Sequence, residues 1–170
     1  GPGSLESDDN PGIANYSAMF GFGEPTGIEL TGEAAGIVPY PTWKRRTHGE
    51  NWSTGDTYNY SIGQGYLAVT PLQMLNAVNV VANGGMVVRP QIVHHVTDYE
   101  GNEIEPFEPE VVRTLSAISP TYWSLVQQGM ESAVAHGTAK LAQIDGVRVA
   151  GKTGTAQFCY DLHCGVGFAQ

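Results

Sequence analysis

The chain has 170 residues, enough for one domain with a core worth burying, and carries 8 Lys+Arg against 17 Asp+Glu for a formal net charge of −9. A sequence pI near 4.8 argues against a nucleic-acid or anionic-membrane surface, because phosphate binding draws most of its affinity from Lys and Arg. A hydrophobic fraction of 41% argues against wholesale disorder, and no apolar run approaches the ~18 residues of a membrane span.

Gly1-Pro2-Gly3-Ser4 reads as a protease-cleavage and cloning scar, with Leu5-Glu6-Ser7 as its continuation. Residues 8–66 show little sustained periodicity. Gly21, Gly23, Pro25, Gly27, Gly32, Gly36, Pro39, Pro41, Gly49, Gly55, Gly63 and Gly65 punctuate them. A long ordered loop region with short helical or extended pieces is expected. Its recurring Phe20, Phe22, Trp43, Trp52, Tyr58 and Tyr60 imply that it packs onto something.

The first strong helix signal covers about 71–83. Thr70 suits the N-cap, Pro71 the first helical position, and Gly84-Gly85 the end. Leu72, Leu75, Val78, Val81 and Ala82 form its apolar face. Met86–Tyr99 reads as extended, Glu100-Gly101-Asn102 as a turn, and Glu103–Phe107 and Val111–Leu115 as further extended pieces. A second helix is predicted over about 120–136, capped by Ser119, with Trp123, Val126, Met130, Ala133 and Val134 on one face. Gly146–Phe158 reads as a strand, because Val147 and Val149 alternate with Arg148 and Ala150.

Cys159 and Cys164 leave two readings open, reduced thiols or a small disulfide loop. Zinc would want four ligands and tighter spacing, and His163 supplies only one more. His94-His95 on a strand would point to opposite faces, so they are not expected to share a metal. Asp56 and Glu50 can pair with Lys44, Arg45 or Arg46, most simply as solvated ion pairs. No cofactor and no metal are expected.

Gly146-Val147-Arg148-Val149-Ala150-Gly151-Lys152-Thr153 matches the phosphate-loop pattern GxxxxGK[ST]. That chemistry needs a strand before the first Gly and a helix starting at Lys-Thr. Here the four middle residues alternate as a strand does, and Gly154-Thr155 with β-leaning Gln157-Phe158 follow. The nucleotide-binding reading is therefore rejected. On a strand, Lys152-Thr153-Gly154-Thr155 instead reads as a Lys-Thr-Gly element of serine acyl-transferases. The Lys would supply charge for a substrate carboxylate, and the Thr hydroxyl would hydrogen-bond it. Gly154 would let substrate backbone lie close, and the Thr155 N–H would donate into an oxyanion hole.

From about Tyr16 to Gln157 the chain resembles the transpeptidase domain of class B penicillin-binding proteins. The resemblance rests on Phe20-Gly21-Phe22-Gly23, Thr26–Leu30 with Gly32-Glu33, Gly36–Pro39, Trp43-Lys44, Trp52 with Gly55-Asp56-Thr57, and Ser61-Ile62-Gly63-Gln64-Gly65. It continues through Val69–Met74, Ala82-Asn83-Gly84-Gly85, Val134 with Gly137-Thr138-Ala139, and Gly151–Gln157. The Trp-Lys, Gly-Asp-Thr and Ser-Ile-Gly-Gln-Gly run looks most like the elongation, rod-shape branch.

The resemblance implies a mixed α/β fold, a transpeptidase-like sheet with flanking helices. It implies acyl transfer on the D-Ala-D-Ala end of a peptidoglycan stem peptide, with β-lactams acylating the same serine. Lys152 and Thr153 would anchor the carboxylate, Gly154 would line the substrate, and the Thr155 N–H would be half the oxyanion hole. Asp56-Thr57 and Ser61–Gly65 would be structural loops around the active-site face. The parent protein would be membrane-anchored, with this domain on the extracytoplasmic face beside other cell-wall synthesis proteins.

The sequence departs from the family at three points. No Ser is followed three residues on by Lys, and none is followed two residues on by Asn, so the Ser-x-x-Lys nucleophile and Ser-x-Asn motifs are missing. The family continues into a further strand and a final helix, of which Gly165–Gln170 is at most a beginning. Residues 8–170 are thus expected to be the C-terminal portion of a transpeptidase domain with an incomplete sheet. The chain should be inactive alone, and should need the upstream half of the domain or self-associate through unpaired edges. The alternative is a non-catalytic penicillin-binding-like module that binds cell-wall peptides.

Overall fold

The computed structural model describes residues 12–160 and 163–169, with side chains through residue 155. The reading of residues 1–7 lies outside the described residues. The elements run α1 (Gly12–Met19), α2 (Pro41–His48), α3 (Thr54–Ser61), α4 (Pro71–Ala82), β1 (Met86–Val88), β2 (Val96–Thr97), β3 (Glu103–Glu105), β4 (Val111–Thr114), α5 (Pro120–Ala135), β5 (Gly154–Tyr160) and β6 (His163–Ala169). The mixed α/β class is as expected. The sheet is incomplete: among the described residues the strands form antiparallel pairs β1–β4, β2–β3 and β5–β6.

Helix ends follow the local chemistry. The Thr70 hydroxyl accepts from the Gln73 N–H at 3.1 Å, and the Gln73 side chain accepts from the Thr70 N–H at 2.8 Å. This reciprocal box, followed by Pro71, opens α4. Ser53 and Asp56 build the same box on α3.

The expected apolar face of α4 is only partly the packed one: Val81 lies against the core and Leu72 is half-buried, but the rest does not pack. Leu75 and Val78 are 66% and 44% exposed, whereas the buried residues are Gln73, Asn76, Ala77 and Val80. The helix is apolar nearly all round, so periodicity could not choose the face. Polar partners chose it: Gln73 Nε2 donates to the Glu24 and Ala35 carbonyls, each at 2.8 Å, and Asn76 Nδ2 to the Val88 carbonyl at 3.0 Å. In α5, Trp123 and Val134 are buried as expected, but Val126 faces solvent.

The core gathers Val80, Val87, Leu115 and Trp123, with Met19, Phe20, Val81 and Ile118 packed against it. Each such side chain stabilises by about 1.5–3 kcal/mol on full burial. Phe20 meets Trp123 with ring centroids 5.9 Å apart. Gly85 crosses beneath the indole at φ +110°, where a Cβ would lie 2.9 Å from the ring. Gln127 Nε2 clasps the end of α4 by donating to the Val81 carbonyl at 2.7 Å.

The long extended piece expected over 86–99 is broken. β1 stops at Val88 and β2 spans only Val96–Thr97, because Pro90 cannot donate to a ladder. β3 likewise stops before Pro106. His94 and His95 precede β2, so the strand alternation expected to separate them does not apply. Their Nδ1 atoms lie 2.7 Å apart, and His94 stacks on Phe107. Among the described residues no group of three or more His, Cys, Asp or Glu is placed to hold a metal. Among them, too, no helix is long and apolar enough to cross a membrane.

Candidate active site

The four residues singled out by sequence, Lys152, Thr153, Gly154 and Thr155, lie together at the head of β5. The strand starts later than expected. Residues 147–153 are irregular: Gly146 turns the chain at φ +76°, Ile144 bridges Val147, and β5 begins only at Gly154. The reason is a helix and not a neighbouring strand. The Gly151 N–H donates to the Met130 carbonyl of α5 at 3.1 Å, which ties this approach to α5. A strand, not a helix, follows Lys152-Thr153, so the phosphate-loop context is absent.

β5 is also not a lone strand. It pairs with β6 from Gly154↔Ala169 to Tyr160↔His163, so one edge is covered where an unpaired strand was expected. Cys159 and Cys164 are directly opposite in that register. Their side chains, like that of His163, lie outside the described residues.

Lys152 is exposed, and its Nζ donates to the Thr153 carbonyl at 2.5 Å. Among the described residues it has no carboxylate partner, so its charge is available. Gly154 faces open space: a Cβ there would meet nothing within 4 Å. Packing within the described fold therefore does not demand this glycine.

Two neighbours complete the cluster. The Thr153 hydroxyl lies 3.2 Å from the Thr138 hydroxyl. Thr138 is delivered by a tight turn off α5, where Gly137 donates to the Ser132 and Ala133 carbonyls at 3.1 Å and a Cβ would sit 2.9 Å from Ala133. The Gln64 carboxamide donates to the Thr155 carbonyl at 2.8 Å across 91 residues. Gly137-Thr138-Ala139 and Ser61–Gly65 are both among the family-like pieces of the sequence, but Thr138 and Gln64 are not among the site residues expected from it. No local signal could have done so, since both contacts are made by the fold.

The Gln64 loop is braced from below by α3. Its Asp56 accepts from Lys44 Nζ at 2.8 Å and from the Ser53 N–H and hydroxyl, each at 2.7 Å. The expected solvated pair is instead buried, with Lys44 and Asp56 side chains only 6% and 13% exposed. Glu50, at 3.4 Å and 65% exposed, is the rim partner. Burial works to raise the Asp56 pKa, but the Lys44 and Ser53 hydrogen bonds outweigh it and hold it below the ordinary carboxylate value. The same Asp56 hydrogen bond raises the Lys44 pKa.

Lys152, Thr153, Gly154 and Thr155, with Thr138 and Gln64 against them, thus form one cluster at the head of β5. Residues 10–165 match the penicillin binding protein transpeptidase domain family, and the chain belongs to that family. It is 38% identical over 149 residues to the peptidoglycan D,D-transpeptidase MrdA of Haemophilus influenzae, covering 85% of this chain and 22% of that protein. Among solved structures it resembles Pseudomonas aeruginosa PBP2 in complex with WCK 5153, at TM-score 0.73 and 34% identity, covering 86% of this chain and 34% of that one. It also resembles PBP2 of Helicobacter pylori in complex with MreC, at TM-score 0.69 and 28% identity, covering 89% of this chain and 27% of that one. The chain thus spans about a fifth of the length of the MrdA relative.

Proposed function

We propose that residues 8–170 are the C-terminal part of the transpeptidase domain of a peptidoglycan D,D-transpeptidase of the elongation type. The observation that carries this is the Lys152-Thr153-Gly154-Thr155 cluster at the head of β5, with an exposed lysine that has no carboxylate partner among the described residues and a glycine that meets none of them. Lys152 and Thr153 hold the terminal carboxylate of a D-Ala-D-Ala stem peptide. Gly154 lets the peptide lie on the strand. The Thr155 N–H donates to the oxyanion, where one donor is worth roughly 2.7–4 kcal/mol.

The nucleophile is a serine of the upstream half of the domain. Its Oγ attacks the penultimate D-Ala carbonyl, and the peptide bond to the terminal D-Ala breaks. That residue leaves as an amine carrying the serine's proton. An amine of a second strand then takes the acyl group, and its proton returns to the serine. β-Lactams react at the same serine, opening their ring. Without Ser-x-x-Lys and Ser-x-Asn, this chain alone is inactive. Its partners are the upstream half of the domain and other cell-wall synthesis proteins, a reading supported by the MreC complex of the Helicobacter relative. The site works outside the cytoplasm.

The test is labelled-penicillin acylation of the protein with its native upstream segment, comparing wild type with Lys152→Ala. Loss of a hydrogen bond to a charged group, about 1.5–3 kcal/mol, predicts about 10- to 150-fold less efficient labelling in the variant. Equal labelling would remove Lys152 from the site. No labelling of either folded protein would favour the peptide-binding module, which the missing nucleophile motifs of this chain also fit. Labelling of the isolated 170-residue chain would refute its inactivity.

A further inference from the structure

We propose that Gln64 is a positioning residue of the acyl-transfer site, holding the Thr155 main chain so that its N–H faces the reacting carbonyl. This rests on the role given above to Thr155. Gln64 sits between Gly63 and Gly65, which take φ +74° and +79° to reverse the chain after α3. Its own N–H is fixed on the Asn59 carbonyl at 2.9 Å. The loop cannot drift, because α3 is held at both ends: by Lys44 on Asp56, and by the Tyr60 hydroxyl donating to Ser17 Oγ at 2.9 Å. From this anchored turn the half-buried Gln64 side chain reaches the Thr155 carbonyl at 2.8 Å.

Thr155 is the second residue of β5, one pair in from the end of the β5–β6 ladder. In an extended strand the N–H and C=O of one residue leave the backbone on the same edge. Holding the Thr155 carbonyl therefore also fixes the direction of its N–H. An oxyanion donor is effective only when it is already aimed at the position the charge will occupy. Gln64 supplies that aim from a segment 91 residues away. The Ser61–Gly65 loop thus acts on the chemistry through the strand.

Two substitutions separate this from a simple tether. Gln64→Ala removes the donor. Gln64→Glu keeps the shape but sets a carboxylate against the carbonyl. In the isolated chain, the ¹³C′ resonance of Thr155 should move upfield in both variants as the hydrogen bond is lost. In the protein with its upstream segment, the first-order acylation rate at saturating labelled penicillin should fall about 3- to 10-fold for Gln64→Ala, the value of one ordinary hydrogen bond, and further for Gln64→Glu. The apparent dissociation constant for penicillin should stay within about twofold, since Lys152 and Thr153, which hold the ligand carboxylate, are kept.

An unmoved resonance, an unchanged first-order rate, or a loss of labelling matched by loss of folded protein in thermal unfolding would overturn the proposal. So would weaker penicillin binding at a constant rate. Lys152→Ala runs alongside. If it labels like wild type, the acyl-transfer reading itself fails. If it loses labelling while both Gln64 variants keep theirs, only the role of Gln64 fails.

Discussion

Replacing Lys44 with Met should test how the Gln64 loop is supported. Lys44→Met keeps most of the stem volume and removes the charge. Asp56 then loses a charge-assisted hydrogen bond of 2.8 Å in surroundings that leave its side chain 13% exposed. Breaking a fully buried pair costs about 3–5 kcal/mol, because the remaining charge is stranded. Here the Ser53 N–H and hydroxyl still donate to the carboxylate, each at 2.7 Å. The loss should therefore be smaller, about 2–3 kcal/mol, close to one hydrogen bond to a charged group. Asp56→Asn should cost about 2 kcal/mol, since Lys44 keeps only the rim contact to Glu50, and one hydrogen bond to a charged group is of that size. The double variant should reveal a coupling of about 1.5–2 kcal/mol. Equilibrium urea unfolding of the four proteins measures it. The pH dependence has a definite sign. The folded Asp56 pKa is lowered, so the coupling is present above the unfolded carboxylate value and fades as pH falls through the folded one. The folded Lys44 pKa is raised, so the coupling is fully present below the ordinary lysine value and is lost as pH rises through the folded one. A coupling below about 0.5 kcal/mol at neutral pH, the value of a solvated surface pair, would refute the reasoning.

Gln73→Glu should be among the most damaging single changes. The side chain is 1% exposed, and the amide that now donates to the Glu24 and Ala35 carbonyls would become an oxygen facing both; a loss of about 3–5 kcal/mol in urea unfolding is expected. Trp123→Ala should cost about 3–5 kcal/mol as a large core deletion. Gly85→Ala should destabilise the wild type through the 2.9 Å approach to the indole, but in the Trp123→Ala background only the left-handed backbone penalty, about 1–2 kcal/mol, should remain. Additive losses in that pair of backgrounds would argue against the steric account.

Much of this was legible where signals are local. Thr70-Pro71 and Ser119-Pro120 marked the starts of α4 and α5 because capping depends on a few adjacent residues. The short α3 carries its own signal, Ser53-Thr54-Gly55-Asp56, a capping box that the scatter of glycines obscured. Which face of α4 packs was not legible, because an all-round apolar helix has no strong moment and buried Gln73 and Asn76 run against the hydrophobic pattern. The start of β5 was misread for a related reason. Val147 and Val149 alternate as a strand would, but the Gly151 N–H donates to the Met130 carbonyl of α5. At the site, Lys152, Thr153, Gly154 and Thr155 were found as a contiguous motif. Thr138 and Gln64 reach them across 15 and 91 residues, distances at which spacing in the sequence carries no geometric information.

The closure around Arg113 has a consequence for how the chain is made. Its guanidinium donates to the Ala18 carbonyl at 3.3 Å, 95 residues earlier, and pairs with Glu24. Trp123, which covers Phe20, is later still. At a synthesis rate of about 5–20 residues per second, α1 and the turn behind it wait about 5–20 s for these partners. During that interval Met19 and Phe20 are apolar groups without a core. Loop closure over such separations slows folding even after release. The α1 segment is thus made well before the partners that secure it, and in that interval it is a segment that a holding chaperone would bind.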